Sequence, residues 1–328
     1  MKKIFVTGGD GLLGSNVVRK LLAMGHDVTV MVQPGSKAKT LEGLNIKQVE
    51  ADLLDKDKVL EASKGAEMII HIAAITNVWP SRGEIYHKVN VLGTEHIIEA
   101  ALTHKAERLV HVGSASSFGY GTKENPGKET DPCKSAKYGL DYIDTKLKGQ
   151  EVVLEAVKTK NLQAIVVNPT FMIGPHDSKP SSGAMILAAA NGEIPGFSPG
   201  GKNWAYVGDV AQGVCNAMTM GRIGECYILG GENLTYKEAL IQICEAVGSK
   251  PPGFTVPPFL VKFAGWAGQT ISGLAGKPPK LSYAMAWVSC DGHYFSPQKA
   301  IDELALPQTP LKEAAKEALD WFKANGYI

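Results

Sequence analysis

Tyr142 and Lys146 stand four residues apart in the segment DYIDTK, a spacing that sets a phenol and an ammonium on one face of a helix. A phenol of ordinary pKa, about 10, exchanges protons poorly near neutrality. Lowering it to about 7 needs roughly 4 kcal/mol of preferential stabilisation of the phenolate, and a neighbouring ammonium can supply part of that. Of the ten tyrosines only Tyr142 has lysine four positions later. In a lysine-rich chain about one such pair is expected by chance, so its placement must decide. Ser114 closes the apolar run Arg108 to Ser114, within HVGSASSFG, where a hydroxyl could bind and orient a reacting oxygen. A phenol with an ammonium beside it would suit proton transfer.

A second set precedes them. After the apolar run Lys3 to Thr7 comes TGGDGLLG, with Gly8, Gly11 and Gly14 at GxxGxxG spacing on the way into a helical pattern. Glycines there allow a tight reversal, close approach of a pyrophosphate to the backbone, and contact between helix and strand. The helix N-terminus adds amide donors and a partial positive charge. A dinucleotide site is expected. After the second apolar run no acidic residue waits for the adenosine ribose; the segment reads Gln33-Pro34-Gly35-Ser36-Lys37-Ala38-Lys39. Ser36, Lys37 and Lys39 could meet a 2′-phosphate, so NADP is expected in preference to NAD. Asp52, ending the third run, could contact adenine, or else Asp52 or Asp55 could cap the following helix.

These residues need a scaffold that brings run ends together. Short β-branched runs (3–7, 27–33, 47–51, 68–73, 108–114, 163–168) alternate with helical patterns (12–24, 56–63, 86–103, 138–158). This predicts an α/β fold, a doubly wound parallel sheet. After Pro169 the alternation fails, and Pro, Gly and Ser gather in 174–201 and 250–258. The expected division is a dinucleotide-binding domain of 1–168 and 205–231, and a smaller, discontinuous substrate domain of 169–204 and 232–328. A helix carrying Leu311, Ala315, Leu319 and Phe322 should pack at the end. At 328 residues a single core has usually stopped growing, which agrees with two units.

Composition excludes other classes. The formal charge is +1 and no run of five like charges occurs, so nucleic acid is not an expected partner. The longest strictly apolar run, Ala184 to Ala190, is far short of the roughly 20 residues a membrane span needs. No secretory pattern opens the chain, so a cytoplasmic location is expected. Five scattered cysteines, without CxxC, read as reduced packing thiols, and no histidine spacing suggests a metal. His71 and His111, in apolar runs, are expected as core histidines, and Asp209 as a helix cap.

The four ordered motifs TGGDGLLG, HIAA (71–74), GSASSFG and YIDTK, with Asn90 in VNVLGT, resemble the extended short-chain dehydrogenase/reductase family over essentially the whole chain. The resemblance implies that Ser114, Tyr142 and Lys146 form the catalytic set and that Asn90 steadies the site. It implies cofactor contacts at Gly8, Gly11, Leu12, Leu13, Gln33, Lys37, Asp52, Leu53, Ala73, Ala74, Tyr142, Lys146, Pro169 and Thr170. Substrate contacts would come from Ser114, Phe171 and Met172, and a homodimer could form through helices flanking Tyr142.

Within the family, nucleotide-sugar enzymes typically carry Arg and Asn after the sixth strand, where this chain has Asn168 and Phe171. Arg222 is the only arginine beyond Arg108, leaving few guanidinium groups for a substrate diphosphate. The segment NPTFMIGP is more similar to the dihydroflavonol-reductase-like and 3β-hydroxysteroid-dehydrogenase-like branch. GRIGECYILGGENLT also resembles proteins labelled hopanoid-associated sugar epimerases. The leading expectation is an NADP-dependent oxidoreductase acting on a small, fairly hydrophobic carbonyl compound or secondary alcohol. The alternatives are a sugar epimerase or dehydratase, and a non-catalytic NADP-sensing regulator. Phe254, Phe259, Phe263, Trp266, Tyr283 and Trp287 are expected as core more than pocket lining, and 258–275 as a substrate lid in preference to a membrane contact.

Overall fold

The computed structural model describes residues 1–274, 276, 278–279 and 281–328. Eleven strands and twelve helices are assigned among them: β1 (Lys3–Thr7), α1 (Leu12–Ala23), β2 (Asp27–Val32), β3 (Lys47–Glu50), α2 (Lys56–Ala62), β4 (Met68–His71), α3 (Glu84–His87), α4 (Gly93–Thr103), β5 (Arg108–Val112), α5 (Asp141–Lys160), β6 (Ala164–Pro169) and β7 (Phe171–Ile173) in the first half. Then follow α6 (Ala184–Ala190), β8 (Gly201–Tyr206), α7 (Val207–Asn216), β9 (Cys226–Leu229), β10 (Glu232–Thr235), α8 (Tyr236–Val247), α9 (Pro258–Leu274), α10 (Tyr283–Val288), β11 (Gly292–His293), α11 (Gln298–Leu304) and α12 (Leu311–Ala324).

The main sheet has seven parallel strands in the order β3-β2-β1-β4-β5-β6-β9. Every residue of β4, β6 and β9 is buried, as a sheet covered on both faces requires. Alternation sorts the two faces: Ile4, Val6 and Ile70 pack with residues of α1 and α7, while Phe5, Ile69 and Leu109 pack with residues of α2, α4 and α5. The strand order reverses between β1 and β4. That switch point, at the carboxyl ends of the strands, is where such sheets bind ligands.

A second sheet is built on β8, which pairs with β7, β10 and β11. Its core takes Trp204 together with residues of α6, α8 and α12, and Leu311, Ala315, Leu319 and Phe322 are all buried there. Residues of the second half also return to the main sheet. Besides β9, α11 places Ala300 and Leu304 against the face that α1 and α7 cover. No helix among the described residues is long and apolar enough to cross a membrane.

Two expectations change. Asp209 lies inside the first turn of α7, and its carboxylate accepts bonds from the amide and hydroxyl of Thr309, so it ties α7 to the segment before α12 and does not cap. The aromatic set is mostly not core: Phe254, Phe259, Phe263, Trp266 and Tyr283 are exposed, while Trp287 is half-buried against the cluster of Tyr138, Leu140 and Ile143, and α9 itself packs against α10 by its Val261 and Gly265 side. Ala275 of the expected lid lies outside the described residues. The cysteines are free thiols, and burial pushes Cys215 and Cys226 up to about 12.

Candidate active site

The turn after β1 is as tight as its glycines allow. Gly8 has φ +70°, and a Cβ there would come within 2.6 Å of the Ala73 amide nitrogen. At Gly14 a Cβ would come within 2.0 Å of the Gly8 carbonyl oxygen, so α1 lies directly on the turn. Gly11 instead meets little, with 3.5 Å to the nearest atom. It precedes α1, whose first turn holds no acidic residue and whose N-terminus no side chain caps. The amides of Leu12 and Leu13 are therefore available to an anion. A bare, positively polarised backbone beside the switch point fits a dinucleotide pyrophosphate.

In the segment after β2, Gln33, Lys37 and Lys39 are exposed. Ser36 does not stand free: its hydroxyl donates to Asp10 at 3.0 Å, bringing a carboxylate to the segment expected to meet a 2′-phosphate. Asp52 accepts from the Leu54 amide, whereas Asp55 caps α2. Leu53 packs over Gly93, and its carbonyl meets His96 Nδ1 at 2.9 Å. Ala73 and Ala74 follow β4, and the Ala73 amide donates to the Thr7 hydroxyl.

The Ser114, Tyr142 and Lys146 side chains come together at the ends of β5 and α5. Tyr142, in the first turn of α5, donates to Ser114 Oγ at 3.4 Å. One turn on, Lys146 is buried and donates from Nζ to the Val112 carbonyl at 2.6 Å. Burial without an anion lowers the Lys146 ammonium to about 8. Burial also raises the Tyr142 phenol, opposed by the bond to Ser114. The ammonium is felt nearby. His71 is pushed down to about 3 by burial and then by Lys146, and His111 is lowered for the same two reasons and by His71. His71 bridges Thr7 and Thr94, while neither ring nitrogen of His111 has a partner. Both are core histidines.

Two asparagines hold this set in place. Asn90 lies in a π-helical turn, Lys88–Leu92, and donates to the Ile75 carbonyl and to Thr145 while accepting from the Ile75 amide. Asn168, fully buried at the end of β6, donates to the Ser114 carbonyl and to Gln150 of α5. A Cβ at Gly113 would sit 2.3 Å from its amide nitrogen, so that glycine makes the contact possible. Asn168 was read from sequence only as the residue standing in for an arginine.

Beyond Asn168, the Thr170 hydroxyl is bonded to Asn203, Met172 is half-buried, and the Phe171 ring meets Trp204 edge-on with Lys202 Nζ 4.7 Å from its centroid. Sequence reading missed Lys202, which burial lowers to about 8; a lone lysine on a strand gives no signal of what surrounds it. It also missed a polar cluster: Tyr138 bonds Asp291, His293 and Tyr120, and Asp291 pairs with Lys137 at 2.7 Å. Burial, and next Lys202, push His293 down to about 3. A cavity of about 660 Å³ adjoins this cluster, lined by Tyr120, Lys137, Asp291 and Tyr294 among others, and none of Ser114, Tyr142 and Lys146 lines it.

The sheet order, the glycine turn at the switch point and the Ser-Tyr-Lys arrangement define a nicotinamide-dinucleotide enzyme of the extended short-chain dehydrogenase/reductase type. Residues 4–230 match the NAD dependent epimerase/dehydratase family, and the chain belongs to it. It is 31% identical to a Synechocystis sp. protein carrying the provisional name dihydroflavonol 4-reductase, over 99% of this chain and 95% of that one. It is 30% identical to sterol demethylase protein B of Methylococcus capsulatus, over 98% and 99% of the two chains. The crystal structure of gox2253 superposes with a TM-score of 0.87 at 32% identity, covering all of both chains.

Proposed function

We propose that this enzyme is an NADP-dependent reductase or dehydrogenase acting on a carbonyl or secondary alcohol of a small, fairly hydrophobic substrate. The observation that carries the reading is the Tyr142 hydroxyl bonded to Ser114 one helical turn from buried Lys146, at the strand ends beside the glycine turn. The turn from Gly8 through Gly11 to Leu12 and Leu13 would hold the pyrophosphate. Gln33, Lys37, Asp52 and Leu53 would border the adenosine, and Ala73, Ala74, Pro169 and Thr170 the remainder. When bound, the cofactor would supply or accept the hydride, and its oxidised nicotinamide would add a positive charge that favours the phenolate.

The chain's own residues do the rest. In reduction, Tyr142 gives its proton to the substrate oxygen, and Ser114 donates a hydrogen bond that orients that oxygen. Lys146, with two ammonium protons beyond the one given to Val112, favours the phenolate that remains. Phe171 and Met172 offer the substrate an apolar wall, and the scarcity of arginine disfavours a diphosphate there. The Asp10 carboxylate beside Ser36 opposes a 2′-phosphate, so the NADP preference rests on Lys37 and Lys39.

The test is a screen for loss of reduced-nicotinamide absorbance with apolar aldehydes and ketones, run beside calorimetric titration of NADP and NAD. Net oxidation with any carbonyl supports the reading. Tight cofactor binding without net oxidation turns it to an epimerase or dehydratase, which regenerates its cofactor, or to a cofactor-sensing protein. Tighter binding of NAD overturns the cofactor preference alone.

A further inference from the structure

Between Glu245 and Asp291 the sequence carries four lysines, Lys250, Lys262, Lys277 and Lys280, and neither aspartate nor glutamate, in a chain whose overall formal charge is +1. The same segment holds α9, which has one partner side. Val261 and Gly265 face α10, and a Cβ on Gly265 would come within 2.5 Å of the Ala286 Cβ. The opposite side has none among the described residues. Phe259 is 68% exposed, Phe263 61%, Trp266 55%, Ile271 67% and Leu274 88%.

Thr270 is exposed among these residues, and its hydroxyl is paired within the helix. The Thr270 hydroxyl donates to the Trp266 carbonyl, Gln269 accepts from the Tyr283 amide, and the Lys262 ammonium lies 5.2 Å from the Trp287 ring on α10. Contiguous exposed apolar surface of this kind marks an interaction site. Its chemistry selects the partner. Phenylalanine, tryptophan and aliphatic side chains on one helix face, in a sequence segment whose charged residues are lysines alone, match the boundary between acyl chains and anionic headgroups. A second copy docked through the same face would bring together two segments whose charged residues are all lysine, with no acid in either to pair them.

We propose that α9 is an interfacial docking helix that lies in the plane of an anionic lipid bilayer and seats the enzyme on it. The outer face of α9 then meets the lipid, with α10 packed on the inner side of α9. Trp287 of α10 meets the Tyr138 ring edge-on, and Tyr138 and Tyr142 belong to one apolar cluster with Leu140 and Ile143. Packed side chains thus join the docking helix to the cluster that holds Tyr142. Docking itself stands whether or not the chemistry is that of a reductase.

The test is vesicle flotation of the full chain. Vesicles of equal parts phosphatidylglycerol and phosphatidylcholine should carry the protein upward, with binding about ten-fold weaker to phosphatidylcholine alone and weaker again in high salt. The double variant Phe263→Ser, Trp266→Ser should lose about ten-fold or more of the binding while keeping its unfolding midpoint. A wild-type chain that stays at the bottom with anionic vesicles overturns the proposal, as does equal binding by wild type and variant. Sedimentation equilibrium supplies the remaining arm: a dimer that the double variant dissolves would assign the face to a second copy and overturn it too.

Discussion

The glycine turn and the α9 arm are both short segments of small and apolar residues, yet their surroundings are opposite. At Gly14 a single added carbon would strike the Gly8 carbonyl at 2.0 Å, whereas Leu274 stands 88% exposed. In the first region backbone shape is fixed at Gly8 and Gly14, where the chain after β4 and α1 close on the turn, and Gly11 alone stands open between them. In the second, shape is fixed on one side only and composition matters on the other. Substitutions should therefore act through geometry in the turn and its neighbours, and through surface chemistry in the arm.

The largest expected effect lies at the tyrosine that the turn serves. Tyr142→Phe removes the proton and the bond to Ser114 while leaving the turn untouched, so carbonyl reduction should fall by about 10²-fold or more with cofactor affinity nearly unchanged. Stopped-flow or steady-state turnover beside cofactor titration checks this, and retained activity would remove Tyr142 from its role. Gly14→Ala comes next. Forcing α1 away from the turn should cost about 3 kcal/mol in chemical denaturation and weaken dinucleotide binding. An unchanged denaturation midpoint would show that the close approach is relaxed in solution.

Asn168→Ala probes how far the rigid region extends. Losing the bonds to the Ser114 carbonyl and to Gln150 should cost about 1–3 kcal/mol and lower kcat about ten-fold, with KM changed much less. A positioning role predicts that split. A fall in stability with kcat intact would make Asn168 structural alone.

These residues also show what the sequence could reveal. The strands of the main sheet and the turn were legible because each is written locally, as apolar runs and as glycines after a strand, whereas the Ser-Tyr-Lys set was legible only through the order of four motifs, since its four-residue spacing is expected about once by chance. The arm was misread because helical periodicity reports that one face is apolar and not what stands against it. Asp209 was misread for a similar reason, since its partner Thr309 is a hundred residues away. Lys202 was invisible, because nothing in GKNWAY says that the lysine will lie half-buried over a phenylalanine ring.

Lys202 gives a titratable form of the contrast. Burial holds its ammonium near 8, below the ordinary 10.5. Between those values the folded chain is neutral at this residue while the unfolded chain is still protonated. The unfolded state then binds more protons, and the residue's contribution to stability rises with pH. The stability of the wild type relative to Lys202→Met should improve by on the order of 1 kcal/mol between about pH 7.5 and 9.5. A pH-independent difference would mean that the lysine is solvated.

The smallest effect is expected on the arm, and it is the sharpest test of the comparison. Ile271 and Ile69 are the same residue, one 67% exposed on α9 and one fully buried in β4. Ile69→Ser would leave a void and a hydroxyl in the core that α2, α4 and α5 cover, a combination that costs several kcal/mol. Ile271→Ser removes apolar surface already in water, so unfolding stability should stay within about 0.5 kcal/mol and solubility should rise. If Ile271→Ser instead destabilises the isolated chain as Ile69→Ser does, the outer face of α9 is covered by the protein itself in solution, and the difference between the two regions disappears.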